Sequence, residues 1–302
     1  MIAPNGLSRL LRVPVTAVRD VGGQHGYRHL IATLGDGRQA FVKASDTSDP
    51  GDAEAFAAEA NGLRWLAEAG GAPVPEVLAS TPDLVAIEYL PPGRATAEAA
   101  EDFGAALART HAAGAPAFGA PWPGRIASLP LDNALTPAAT GWGEWWQARR
   151  SVPYIKRAAD DGLLSRADLS LVEAVAARAA ELGGPEEPPS RIHGDLWSGN
   201  VLWSRGRGWL IDPAAHGGHR ESDLAMLTLF GAPHLDRILA AYDAAFPLAD
   251  GWRARVPLHQ VHPLLVHVCL FGAGYVGQLR AAARAALAGR PRPADPGRPP
   301  GG

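Results

Sequence analysis

The chain has 302 residues, 47% hydrophobic and 20% charged, enough for one large domain or two smaller ones around a real core. A formal net charge of −3 leaves no broad basic surface to hold nucleic acid or an acidic membrane. A single cysteine, Cys269, excludes an intrachain disulfide framework. The N-terminus "MIAPNGLSRLLRVP" lacks the charged-then-apolar order of a signal peptide, and no apolar run of roughly 18 residues stands out. A cytoplasmic protein without a nucleic-acid or membrane partner is the expectation.

Residues 7–20 predict a short helix and a strand. In "VGGQHGYRHLIATLGDGRQAFVKAS" a glycine-rich turn, Gly22, Gly23 and Gly26, separates two apolar runs, and a second turn follows at "GDG". This predicts hairpin-linked strands, the latter carrying Lys43. "DAEAFAAEANGLRWLAEAG" then places Phe56, Leu63 and Leu66 on one helical stripe. "PEVLAS" and "LVAIEYL" predict two further strands, and "PPG" (91–93) a hinge. Beyond it the pattern is mostly helical, over 96–113, 141–161, 166–182, 221–230, 235–246 and 257–287, interrupted by the strand-like "NVLW" and "GWLIDP". The order predicts an α+β chain with a small β-rich lobe over 1–90, a helical lobe over 91–288 and a Pro/Gly-rich, disordered tail at 289–302.

Only two of the 28 basic residues are lysines, Lys43 and Lys156. Where arginine serves as the general cation, a retained lysine marks a place a guanidinium fork cannot fill. This singles out Lys43.

The stretch "RIHGDLWSGNVLW" (191–203) has the form H-x-D-x-x-x-x-N, with His193, Asp195 and Asn200. Phosphoryl transfer needs positioning and charge neutralisation more than covalent chemistry. One such loop offers a base for the attacking hydroxyl and an oxygen ligand for magnesium. Twelve residues beyond Asn200, "WLIDP" supplies Asp212, a second hard oxygen ligand of the kind Mg2+ takes. Upstream, Lys43 follows a glycine turn, and Glu59 on the next helix is its candidate ion-pair partner, with Glu54 as competitor. Singly, each part is ordinary: a G-G-x-x-G is usually a turn, Lys43 a solvated strand residue, Asp212-Pro213 a strand end. All parts in kinase order point to a phosphotransferase of bilobal, protein-kinase-like fold.

"HGDLWSGN", "LIDPAAHGGHRESDLAMLTLFG", "HPLLVHVCLFGAGYVGQL" and "FAAEANGLRWL" together resemble the fructosamine kinase (ketosamine-3-kinase) family, within the aminoglycoside-phosphotransferase-like kinases. The resemblance covers nearly the whole chain except the tail. It implies an ATP- and Mg2+-dependent kinase phosphorylating a sugar hydroxyl of a free or protein-bound ketosamine, a deglycation activity; a monomer is a separate expectation. Carried over by position, it makes Asp195 the base, Asn200 and Asp212 the magnesium ligands, and Lys43 with Glu59 the phosphate-holding pair. Gly22, Gly23 and Gly26 would cover the phosphates, Glu88, Tyr89 and Leu90 would form the adenine-binding hinge, and His193 and Asp223 would support the catalytic loop. On the acceptor side it points to Asn133, Trp142, Arg150 and Trp197. The chain departs from the family at "HQVHPLL", which carries His259 and His262, and its glycine loop has no cysteine.

Other readings remain beside this one. The acceptor could be another hydroxylated amine, such as an aminoglycoside or amino alcohol, though no acidic C-terminal cluster awaits a polycation. An inactive kinase fold used for binding would lack a catalytic group, and Lys43, Glu59, Asp195, Asn200 and Asp212 are all present. His259, His262, His267 and Cys269 share a helical face but lack a closing metal-ligand pattern, so helix packing is the expectation. Of Trp142, Trp145 and Trp146, expected mainly as core, Trp142 is the candidate for stacking on a sugar.

Overall fold

The computed structural model describes residues 4–24, 26–45 and 50–289. Helix α1 (Pro4–Leu11) lays Leu7 on one face of an antiparallel sheet. The sheet comprises β1 (Val15–Gln24), β2 (Tyr27–Leu34), β3 (Gln39–Ser45), β4 (Val77–Thr81) and β5 (Leu84–Glu88), in the order β1-β2-β3-β5-β4. Alternation along β3 sends Ala40, Val42 and Ala44 to the α1 side. On the opposite face Phe41, Val85 and Ile87 meet Phe56, Ala60 and Leu63 of α2 (Pro50–Ala67). Lys43, in phase with Phe41, therefore projects toward α2, and Glu59 lies one turn from Phe56 and Leu63 on the same helix.

After Pro91 the chain passes into α3 (Ala97–Ala112), capped by Thr96, whose hydroxyl accepts from Ala99 N–H. A short hairpin follows, β6 (Gly124–Ile126) and β7 (Leu129–Leu131). Helices α4 (Trp142–Trp146) and α5 (Val152–Asp160) are joined by a π-helical turn at Gln147–Ser151. Then come α6 (Arg166–Ala177), α7 (Ala179–Leu182), β8 (Ser190–Ile192), β9 (Val201–Ser204), β10 (Arg207–Leu210) and β11 (His216–Gly218). The chain closes with α8 (Arg220–Phe230), α9 (Leu235–Ala245), α10 (Trp252–Phe271) and α11 (Val276–Ala288). The α+β expectation holds: sheet first, helices after.

Four short strands position the site. β8 pairs with β11 and β9 with β10, both antiparallel. Residues 193–200, between β8 and β9, are thereby held beside residues 211–215, between β10 and β11. A backbone bond from Ile211 N to Asn200 O (3.1 Å) ties the two segments directly. The motif loop and Asp212 are neighbours because of these two ladders.

Several elements differ from the sequence reading. The helix expected over 257–287 starts at Trp252 and breaks at Gly272, whose φ of +76° ends α10 before a one-turn 3-10 helix leads into α11. α10 contains Pro257 and Pro263, each of which removes an intrahelical bond. Burial of Leu258, Val261, Leu264 and Leu265 at the junction with α5 and α11 offsets that loss. By length and composition alone, Trp252–Ala288 could cross a membrane, but these side chains form part of the core. The expected helix over 166–182 is interrupted at Arg178, and β6, β7, β8 and β11, three residues each, carry too little pattern to be read. Of the tail expected at 289–302, residues 290–302 lie outside the described residues.

Candidate active site

Lys43, Glu59 and Asp212 converge where the sheet, α2 and the segment after β10 meet. Lys43 Nζ lies 2.8 Å from Glu59 Oε2 and bonds Asp212 Oδ1 as well. The choice between glutamates is settled by position: Glu59 is buried against Lys43, whereas Glu54 is exposed and lies 3.9 Å from Arg125. Burial pulls the Lys43 ammonium toward lower pKa, but the two carboxylates outweigh it and hold Lys43 above its ordinary value. The same burial, reinforced by Asp212, moves Glu59 upward against Lys43, while Lys43 draws Asp212 downward despite its burial. Lys156 pairs with Asp160 in solvent. Of the two lysines, only Lys43 is enclosed.

Asp212 stands two residues past the end of β10 at φ +50°, a left-handed conformation that aspartate tolerates better than bulkier residues. The turn aims its carboxylate at Lys43 rather than along the strand.

Asp223, near the start of α8, builds the motif loop from beneath. Its Oδ2 accepts from His193 N (2.7 Å) and its Oδ1 from Gly194 N (2.9 Å). His111 on α3 also bonds Oδ2 through Nε2 (3.0 Å), and its Nδ1 meets Tyr242 OH at 2.8 Å. These bonds, with His111 and His193 alongside, hold the Asp223 carboxyl low although burial would raise it. His193 accepts at Nδ1 from Asp195 N (3.2 Å), so Nε2 carries the proton and donates to Ile211 O (2.9 Å). Gly194 has φ +82°, and a Cβ there would meet Ala214 O at 2.3 Å, so glycine is required. His193 and Asp223 thus hold the loop through these bonds. His111 and Tyr242 complete the network, and a lone histidine in "ARTHAAG" carries no sequence signal for this.

Asp195 is the group this scaffold presents. Asn200 Nδ2 donates to Asp195 O (2.8 Å) and Asp195 Oδ2 (3.1 Å), leaving Asn200 Oδ1 as the atom that could bind a cation. Burial, then the nearby Asp212 charge, push the Asp195 carboxyl up to about 7, with Asn200 opposing. That value suits proton transfer near neutral pH. The amide oxygen of Asn200 and the carboxylate of Asp212 form a hard-oxygen pair that fits magnesium. Trp197, 40% exposed, folds its ring over Gly199, where a Cβ would come within 2.1 Å of it.

Behind Asp195 lies a cavity of about 30 Å³ lined by Gly194, Trp145, Arg150, His216 and His262 among others. Arg150 Nη2 bonds Asn133 Oδ1 at 2.8 Å, and its guanidinium sits 4.5 Å from the Trp145 ring centre. Asn133 therefore orients Arg150 and is not itself part of the lining. Trp142 is only 3% exposed and is not in the lining; it packs directly behind it, against the lining residues Trp146, His219 and His259. The tryptophans lining the cavity are Trp145 and Trp146, a distinction helical phase could not make.

Of the α10 histidines, His259 and His262 line the cavity and His267 does not. His267 Nδ1 pairs with Pro263 O (2.7 Å) and Cys269 Sγ with Tyr154 O (3.6 Å). His219, Glu221 and His259 do approach one another closely enough to be read as ligands. Both Glu221 oxygens, however, accept from Arg255 (2.9 and 2.6 Å), and His219 Nδ1 caps α8. That cluster is a packed ion pair and a helix cap.

At the other end of the cleft, Tyr89 N–H bonds Gln39 O (3.0 Å) and Glu88 N–H bonds Glu76 O (2.8 Å). Glu88 Oε1 meets Arg205 Nη1 at 2.6 Å, linking the strand end to the β9–β10 turn. Gly22 (φ +100°) and Gly23 lie within β1, at an irregularity in its pairing with β2, rather than in the turn, which holds Gly26 (φ +86°); a Cβ on Gly23 would lie 2.3 Å from Tyr27 O.

The sequence profile described as fructosamine kinase matches residues 14–288. A "probable ketoamine kinase" of Thermus thermophilus is 35% identical over 244 residues, covering 79% of this chain and 84% of that protein. Another from Escherichia coli K12 is 33% identical over 248 residues, covering 78% and 81%. The crystal structure of a Thermobifida fusca protein whose name assigns it to the fructosamine-3-kinases superposes with a TM-score of 0.91 at 49% identity, covering 95% of this chain and 98% of that one. A gentamicin-bound aminoglycoside phosphotransferase shares the kinase-like fold at 14% identity and a TM-score of 0.60, covering 94% and 93%. The chain belongs to the fructosamine kinase family.

Proposed function

We propose that the chain transfers the γ-phosphoryl group of ATP to a sugar hydroxyl of a ketosamine. The observation that carries this is Asp195: one side of its loop adjoins the Lys43–Asp212 cluster, the other a cavity with few charges. The acceptor oxygen bonds to the γ-phosphorus as the bond from that phosphorus to the β–γ bridging oxygen breaks. Asp195 takes the hydroxyl proton, and ADP departs. Lys43, braced by Glu59, meets the phosphates, and Gly22, Gly23 and Gly26 cover them with backbone N–H groups. Tyr89 and Glu88 N–H groups are engaged in the sheet, so Glu88 C=O and Leu90 N–H are the hinge groups left for adenine. Asn200 Oδ1 and Asp212 would hold Mg2+, which neutralises phosphate charge when bound. On this reading residues 1–90 form the nucleotide lobe and 91–288 the catalytic and acceptor lobe.

Trp197 in the loop and the low charge of the lining favour a ketosamine over a polycationic aminoglycoside. Among the described residues the lining holds two carboxylates, and Asp223 already accepts three hydrogen bonds. An inactive fold is disfavoured by the placement of Lys43, Glu59, Asp195, Asn200 and Asp212 in one cleft. The test is a panel of fructosyl-, ribulosyl- and erythrulosyl-amines beside aminoglycosides and amino alcohols, with ATP and magnesium. Phosphorus–proton NMR then locates the phosphate. Turnover confined to aminoglycosides would reject the ketosamine assignment.

A further inference from the structure

Buried polar atoms almost always find a hydrogen-bond partner. Trp145 Nε1, Arg150 Nε and His262 Nε2 make no hydrogen bond within the chain, and all three residues line the cavity beside Asp195. Trp145 and Arg150 are each 2% exposed and His262 9%. Their rigidity comes from neighbours: Trp145 stacks on Phe118 at 5.2 Å, Arg150 is held by Asn133, and His262 packs edge-on to Tyr154 at 5.2 Å. The three residues that carry these unpartnered atoms line a space of about 30 Å³, room for roughly two water-sized groups. That is the size of one or two hydroxyls, not of a whole sugar ring.

The charge of the lining narrows the ligand further. Arg150 is a cation, and burial keeps His216, His219 and His262 neutral, His219 and His262 at about 3. The carboxylate of Asp223 is occupied by three N–H donors, so Asp195 is the remaining anion. An ammonium placed here would lose its hydration and face a guanidinium. A neutral polyol meets donors and an imidazole nitrogen that it can satisfy.

We propose that this cavity is the distal-hydroxyl subsite of the acceptor: Trp145, Arg150 and His262 bind the uncharged hydroxyl end of the sugar, and the amine end points outward past Trp197. This rests on the ketosamine reading and adds to it the orientation of the acceptor and the residues that set it. His262 becomes a specificity-determining residue.

The experiment compares one ketosamine with its analogue lacking the distal hydroxyls, on wild type, His262→Leu and His262→Gln. A site built to bond a hydroxyl discriminates against the analogue, here by roughly tenfold in kcat/KM for one or two bonds lost. His262→Leu should raise KM for the hydroxylated ketosamine by about that factor, leave kcat and the KM for ATP near wild type, and collapse the ratio between the two acceptors toward one. His262→Gln, which restores a polar side chain, should recover part of the ratio. Equal ratios in wild type and His262→Leu would overturn the subsite.

A second measurement needs no turnover and no stable leucine variant. The His262 ring signals of the wild-type protein, assigned by their loss in His262→Gln, should shift on titration with a pentitol and not with an amino alcohol. No shift with the pentitol, or equal shifts with both, would overturn the proposal. Loss of all ketosamine turnover with a preserved pentitol response would instead reject the ketosamine reading and leave a polyol site.

Discussion

Asp223→Asn is the sharpest test of how the site is assembled, because the substitution exchanges one heavy atom and leaves the volume almost unchanged. The carboxylate is 1% exposed and accepts from His193 N, Gly194 N and His111 Nε2. An asparagine has one accepting oxygen. Its best compromise keeps Oδ1 where Oδ2 stood, retaining His193 and His111, and turns the amide NH2 toward Gly194 N–H. One charge-assisted bond is lost, worth about 1.5–3 kcal/mol, and two buried donors then face each other at a further cost of about 1–3 kcal/mol. The sum is about 2.5–6 kcal/mol. For a chain of this size each kcal/mol lowers Tm by roughly 2 °C, so the melt should fall by roughly 5–12 °C. Because the lost bond belongs to Gly194, next to Asp195, kcat should also drop, by about 10²-fold if the base moves by an ångström. Thermal unfolding followed by tryptophan fluorescence and steady-state kinetics read both effects. A variant melting within a degree of wild type with unchanged kcat would refute the bracing role of Asp223 and the energetic reasoning behind it.

Asp195→Asn should fold and bind ATP normally yet lose about 10²–10⁴-fold in kcat, checked by nucleotide binding beside turnover, since it removes only the proton acceptor. Lys43→Arg should be severely impaired despite its conserved charge, because a planar guanidinium cannot occupy the point between Glu59 and Asp212; normal ATP affinity and turnover would contradict that geometry. Bonds from Arg280 and Ser165 hold the Asp168 carboxyl at about 2, below its ordinary 3.8. Its folded pKa lies under the unfolded one, so its stabilisation is complete above pH 4 and fades as pH falls toward 2. The Tm deficit of Asp168→Asn relative to wild type should therefore be larger at pH 6 than at pH 3.

Much of the candidate site was legible before any tertiary structure. His193, Asp195 and Asn200 occupy one loop of the chain, so their chemistry can be read as a spacing, and the alternation of β3 already puts Lys43 on the face opposite Val42. Asp212 follows an apolar strand within a dozen residues. Each of these signals is local: periodicity and turn chemistry act over a few residues and leave a mark in composition.

What only the tertiary structure decided lies in choices between equivalent local candidates. Lys43 and Asp212 stand 169 residues apart, and their contact exists because β8–β11 and β9–β10 carry the second segment under the sheet. Glu59 rather than Glu54, and Trp145 rather than Trp142, face the site because of how α2 and α4 are rotated in their packing. His111 and Tyr242 reach Asp223 from helices that share no motif with it. The break at Gly272 follows from a backbone dihedral that glycine permits anywhere and that packing selects at one place. Burial has the same character: it raises Asp195, keeps His262 neutral and leaves Trp145 Nε1 without a partner, and it belongs to the assembled core rather than to any stretch of sequence.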